Sequence, residues 1–116
     1  MYNALASIFD DAHSGSTRLH LDASDAVNLL VYASRMPNGS DGYALWHIFA
    51  AESTEAIRGY LNQRGSHLGD PIHNQDTYLT PSMLEELRQR HSVQPYVIRQ
   101  YPGFAVFIPA GCAHQV

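Results

Sequence analysis

Two short stretches of this sequence hold side chains that could share a metal ion. His20-Leu21-Asp22 sets an imidazole and a carboxylate two positions apart. On an extended strand such positions lie on one face, so both groups can turn toward a common ion. A further imidazole would complete a set of two histidines and one carboxylate. That is the facial arrangement of non-haem Fe(II) oxygenases, which leaves three adjacent coordination positions open. His114 is the natural third ligand, because it follows an apolar stretch and the turn formers Pro109 and Gly111. Spacing alone leaves a plainer alternative open. The chain has seven histidines, chance His-x-Asp pairs are common, and the triplet also reads as a polar edge strand.

A rival cluster is His67, Asp70, His73 and Asp76, whose spacing of three would align them along an extended polyproline-like segment. Gly69 and Pro71 interrupt that segment, which reads better as a loop between helices. Cys112, two residues before His114, is a possible fourth ligand or a small buried filler.

The elements that must carry these residues follow from periodicity and breakers. Residues 13–16 read as loop, and 17–22 as a short strand with Leu19 and Leu21 on one face and His20 and Asp22 on the other. Residues 26–33 are apolar and branched, and predict a buried strand. Residues 34–43 are crowded with Pro, Gly, Asn and Asp and predict a loop, followed by a strand over 44–50. Ser53 is placed to cap a helix reaching Arg64, with Ile57, Tyr60 and Leu61 on one face and Gly65 in a left-handed terminal position. Thr80-Pro81 opens a second helix, with Met83, Leu84 and Leu87 at helical spacing, Glu86 and Arg90 four apart, and an end near Arg90. Residues 95–101 and 104–109 predict two strands joined tightly at Pro102-Gly103. Strands, two helices and more strands suggest a mainly antiparallel barrel or sandwich with a helical insertion.

Composition narrows the class. The 116 residues are 45% hydrophobic and 16% charged, an ordinary globular balance for one domain. A single cysteine excludes an internal disulfide framework. No apolar run approaches a bilayer span, and the first residues lack the pattern of a secretory signal, so an intracellular setting is expected. The net charge of −4 and the absence of lysine argue against a basic nucleic-acid footprint.

Several blocks in a fixed order carry a resemblance. They are 17–28 (TRLHLDASDAVN), 44–49 (ALWHIF), 70–73 (DPIH), Tyr78-Leu79, and 105–116 (AVFIPAGCAHQV). Together they resemble the JmjC domain of the lysine demethylase 3 group, the hairless-like histone H3 lysine-9 demethylases, in their fungal style. The resemblance covers 17–116 and treats the whole chain as a partial JmjC domain, with 1–16 leading in and 51–92 a helical insertion. It implies a mainly β fold, a double-stranded β-helix or cupin-like jelly roll, incomplete at its C-terminus. His20, Asp22 and His114 fall on the family's Fe(II) positions. Thr17 falls where related enzymes set a hydroxyl against the distal carboxylate of 2-oxoglutarate, and Asn28 and Trp46 would line the same pocket. His47 should face the other way, and His73 belongs to a motif that is not a ligand motif.

The implied activity is oxidative demethylation, in which dioxygen and 2-oxoglutarate hydroxylate a lysine N-methyl group that leaves as formaldehyde. The implied partner is a histone H3 tail or another methylated-lysine protein in the nucleus, without sequence-specific nucleic-acid contact or membrane attachment. A JmjC protein hydroxylase and a non-catalytic chromatin-binding scaffold are the alternatives. Three departures from the family pattern stand out. The lysine that often neutralises the distal carboxylate is missing, leaving Arg35, another arginine or hydroxyls to substitute. The loop 34–43 is shorter than in the animal enzymes. Only two residues follow His114. From that last departure the sequence predicts an untied His114, an open edge on the strand of 104–109, and a weak enzyme when these residues stand alone.

Overall fold

The computed structural model describes residues 17–65 and 68–116. Its elements are β1 (Ala26–Leu29), β2 (Ala44–Ile48), a single 3-10 turn (Ala51–Ser53), α1 (Thr54–Arg64), α2 (Pro81–His91), β3 (Tyr96–Gln100), β4 (Ala105–Ile108) and β5 (His114–Gln115). They form two antiparallel sheets, one of three strands in the order β3-β2-β5 and one of two strands, β1-β4.

The central strand β2 explains the layering. Its residues alternate between two covered faces. Trp46 and Ile48 join Val106 and Ile108 of β4 in a core between the two sheets. Phe49, just beyond the strand, joins Ile57, Tyr60 and Leu61 of α1 and Met83 and Leu87 of α2 in a second core on the opposite face. The three-stranded sheet is therefore the middle layer, with helices on one side and β1-β4 on the other. Phe49 is fully buried in the helix-side core, where truncation to alanine would cost about 3–5 kcal/mol.

The helices obey their sequence signals in part. The Thr80 hydroxyl accepts from the Met83 N–H, Pro81 occupies the first turn, and Ser92 ends α2 in a left-handed conformation at φ 54°. Ser53 makes no side-chain cap to α1, and Gly65 is extended rather than left-handed. Between the helices, Asp70 accepts from the N–H groups of Ile72 and His73 and from Arg58 Nε. This turn drives Ile72 into the helix-side core.

Three strand expectations are corrected. Residues 17–22 form no strand. Their pairing is an isolated bridge between His20 and His114 together with reciprocal backbone bonds between Thr17 and Val116. Three steps along 17–20 match two steps along 114–116, which is a bulge opposite Gln115. The second correction concerns 26–33, which yields only four strand residues, Ala26–Leu29. These are not buried, since Val27, Leu29 and Phe107 share an outer face that no described residue covers. Finally, β3 and β4 are not a hairpin. The turn at Pro102-Gly103 closes with Phe104 N–H on Tyr101 O, and Gly103 takes a φ of 88°. Bonds from Gly103 N–H to Leu30 O and from Leu30 N–H to Phe104 O then redirect the chain, so β3 pairs with β2 and β4 with β1.

The end of the chain is tied down, contrary to expectation. β5 lies between β2 on one side and 17–20 on the other. The Gln115 side chain is fully buried, accepts from Leu79 N–H at 2.7 Å and donates to Leu79 O at 2.9 Å.

Candidate metal centre

Pairing of 17–20 with 114–116 brings the two chemistry-bearing stretches together. Ligand atoms of His20, Asp22 and His114 all lie within 4.8 Å of one another. His20 Nε2 and His114 Nε2 are each 3.8 Å from Asp22 Oδ2, and the two imidazole centroids are 4.2 Å apart. A modest contraction would bring all three to the roughly 2.0–2.2 Å bond lengths of a shared ion.

Both rings are oriented by the same device. His20 Nδ1 donates to the carbonyl of Arg18, and His114 Nδ1 donates to the carbonyl of Cys112, each at 2.9 Å. A carbonyl only accepts, so in the neutral ring the proton sits on Nδ1 and the Nε2 lone pair faces Asp22. Burial pushes the His114 pKa down. The Cys112 carbonyl pulls it back, neighbouring His20 lowers it again and Asp22 raises it, with a net fall. A histidine kept neutral is a ready ligand. Asp22 is the accessible side of the cluster, its side chain 46% exposed.

The turn ahead of His114 is fastened to the stretch after Asp22. Gly111 N–H donates to Asp22 O, Ala110 N–H donates to the Asp25 carboxylate at 2.7 Å, and Gly111 adopts a φ of 78°. Asp25 was missed in the sequence, although its position three residues after Asp22 is a readable signal.

Trp46 is buried in the inter-sheet core with its indole stacked on the His114 ring at 6.0 Å. Its N–H donates to Gln100 Oε1. Asn28 projects to the side of β1 opposite Val27 but is exposed, and its Oδ1 accepts from Gln100 Nε2 at 3.3 Å. Thr17 is partly buried beside Val116. Gln100 was not singled out in the sequence, though a glutamine alternating with Ile98 on a strand is a polar residue at an apolar register.

The remaining candidates lie elsewhere. His47 is buried on the helix side, where Gln115 Nε2 approaches its Nδ1, and burial lowers its pKa. Asp70 and His73 serve the inter-helix turn, Asp76 is exposed beside Thr77, and His67 is outside the described residues. Among the described residues only His20, Asp22 and His114 are grouped so that they could hold a metal ion. Cys112 contributes its carbonyl and packs against the inter-sheet core. Arg58, Arg64, Arg88 and Arg90 are engaged with acidic residues of the helical layer. Arg99 sits over Tyr43, and Arg18 and Arg35 are exposed.

A family model described as "JmjC domain, hydroxylase" matches residues 12–116. The chain belongs to the JmjC family. This JmjC chain is 40% identical to lysine-specific demethylase 3A-A of Xenopus laevis over 153 aligned positions, which cover 100% of the chain and 11% of that relative. Lysine-specific demethylase 3A of Homo sapiens is 39% identical, with 100% and 12% covered. Lysine-specific demethylase 3 of Drosophila melanogaster is 36% identical, with 100% and 18% covered. The chain spans less than a fifth of these relatives' length. The cupin-like character of the family agrees with the antiparallel sheets, of which five strands are present among the described residues.

Proposed function

We propose that this JmjC chain is the metal-binding part of an Fe(II)- and 2-oxoglutarate-dependent oxygenase that demethylates lysine in histone tails by N-methyl hydroxylation. The observation that carries the reading is the convergence of His20, Asp22 and His114, with both Nδ1 protons directed away from the shared centre. Two neutral nitrogens and one carboxylate are the donor set that suits Fe(II) and leaves open positions. When bound, the metal and 2-oxoglutarate supply the oxidising power toward a C–H bond, and the protein supplies orientation and a dry pocket.

The residues divide that work. Asp22 gives the charged ligand on the accessible side, and the backbone bonds between 17–20 and 114–116 hold the imidazoles at fixed separation. Trp46, Ile48, Val106 and Ile108 exclude water from the inter-sheet space behind His114. Thr17 and Asn28 offer a hydroxyl and an amide to the distal carboxylate of 2-oxoglutarate, and Trp46 lines the pocket through its ring. Arg58, Arg64, Arg88 and Arg90 are engaged with acidic residues, so Arg35, another arginine or these neutral donors would complete that recognition. The net charge of −4 favours approach of a basic tail such as that of histone H3, where the dimethylated or monomethylated lysine 9 is the proposed substrate, in the nucleus.

The test is an assay of the full protein with Fe(II), ascorbate, 2-oxoglutarate and a methylated histone H3 peptide. Formaldehyde release that disappears with His114→Ala supports demethylation. A stable hydroxylated product without formaldehyde would replace it with protein hydroxylation. Absence of any 2-oxoglutarate turnover in a metal-loaded protein would leave the scaffold reading.

A further inference from the structure

Among the described residues, Gln100 is a polar side chain of the inter-sheet interior that packing alone does not require. Gln100, at 1% exposure, closes β3 beneath Trp46. Its Oε1 accepts the indole N–H of Trp46 at 2.8 Å. Its amide donates to Phe104 O at 2.9 Å and Asn28 O at 3.0 Å, and reaches Asn28 Oδ1 at 3.3 Å. A buried carboxamide is costly unless bonded, and an apolar side chain would fill the same space. What an apolar side chain could not do is fix the rotation of the indole. That indole lies at 25° to the imidazole of His114.

We infer that Gln100 is a positioning residue for the metal centre, acting through Trp46 on His114. The chain of contacts runs from the backbone of β1 and of the 101–104 turn, through the carboxamide, to the indole and then to the face of the ligand ring. His114 is otherwise restrained at Nδ1 by Cys112 and by the ring of His20. The carbonyl bond alone permits rocking about its own axis, and the stacked indole removes it. Gln100 thereby spans the two sheets, so the position of β1-β4 is transmitted to a ligand on β5. A ligand held in place before the ion arrives loses less freedom on binding. The inference rests on the proposed metal role of His20, Asp22 and His114.

The experiment uses Co(II) alone as probe and needs no turnover. Trp46 is the chain's single tryptophan, so its emission reports this position only. In the metal-free protein, Gln100→Leu should depolarise Trp46 emission faster than in the wild type. It should also raise the Co(II) dissociation constant about tenfold, the low end for losing an orienting hydrogen bond at a metal site. Trp46→Phe, read by Co(II) visible absorption, should raise it to a similar extent. The double variant should be no weaker than the weaker single one, because both cut the same chain of contacts. Losses that multiply, or a folded Gln100→Leu protein with unchanged depolarisation and Co(II) affinity, would overturn the inference. If Gln100→Leu does not fold, an unchanged affinity in Trp46→Phe overturns it. Failure of the wild type to bind Co(II) removes the metal centre and this inference with it, whereas wild-type binding matched by the variants removes the inference alone.

Discussion

At the scale of single residues, the arrangement turns on which nitrogen carries a proton. Both histidines of the proposed centre present Nε2 inward because a carbonyl two residues back holds Nδ1. His47, away from the centre, shows the same dependence in stability. Burial holds its pKa below the ordinary 6.5, as it does for His114, and Gln115 donates toward the Nδ1 lone pair that only a neutral ring offers. The unfolded chain therefore binds these protons more readily than the folded one. Stability is present in full above about pH 6.5 and falls as pH drops below it, until the folded groups also titrate. Chemical denaturation of the metal-free protein should show this loss as pH falls through about 6.5, and His47→Leu should flatten the slope. A slope unchanged in His47→Leu would assign the effect elsewhere. Thr17 carries a second expectation. Thr17→Ala should weaken 2-oxoglutarate by about 1–3 kcal/mol, the range for a hydrogen bond to a charged group. Calorimetric titration of the metal-loaded protein with equal affinity for both forms would take Thr17 out of the pocket.

At the scale of elements, the turn 109–112 decides where His114 arrives. Gly111 sits at φ 78° and donates to Asp22 O. Gly111→Ala should cost about 1–3 kcal/mol of stability through backbone strain and weaken metal binding by loosening that fastening. Thermal melts with and without Co(II) separate the two effects, and a variant that melts like the wild type in both would refute the strain. These elements were unevenly legible in the sequence. The strand of Trp46 and the helix opened by Thr80-Pro81 announce themselves through apolar periodicity and capping, which are local. The alternation in His20-Leu21-Asp22 was also readable, since Leu19 goes to the core while His20 and Asp22 converge. The exposure of Val27 and Leu29 was not, because an apolar run does not say whether a covering layer follows. Nor was the sheet switch at Pro102-Gly103, because the turn dipeptide is the same whether the strands pair with each other or with others. Arg18 and Cys112 act through their carbonyls, which no side-chain pattern reveals.

At the scale of the whole molecule, the β1-β4 sheet is the least protected layer among the described residues. Val27 and Leu29 are 70% and 60% exposed, and Phe107 beside them is 57% exposed. An apolar face of that kind on a two-stranded sheet that no further strand flanks among the described residues promotes association. The double substitution Val27→Thr, Phe107→Thr keeps strand-forming residues and removes the patch. It should lower concentration-dependent light scattering while leaving the melting temperature near that of the wild type. Scattering that persists in the double variant would place the association surface elsewhere on the protein.

The bridge between His20 and His114 has a consequence for how the protein is made. The two halves of the proposed centre come from opposite ends of the described chain and meet through backbone pairing of 17–20 with 114–116 and the fastening of the 109–112 turn to Asp22 and Asp25. During synthesis at about 5–20 residues per second, His20 and Asp22 emerge seconds before their partner exists. A nascent chain therefore lacks the complete proposed site, and the long stretch between the two segments must close first, a step that is slow for non-local β pairing. An ion that binds only the closed form then acts as a clasp applied after translation. At the proposed centre it would stabilise the folded chain by mass action, growing with the logarithm of the free metal the cell supplies.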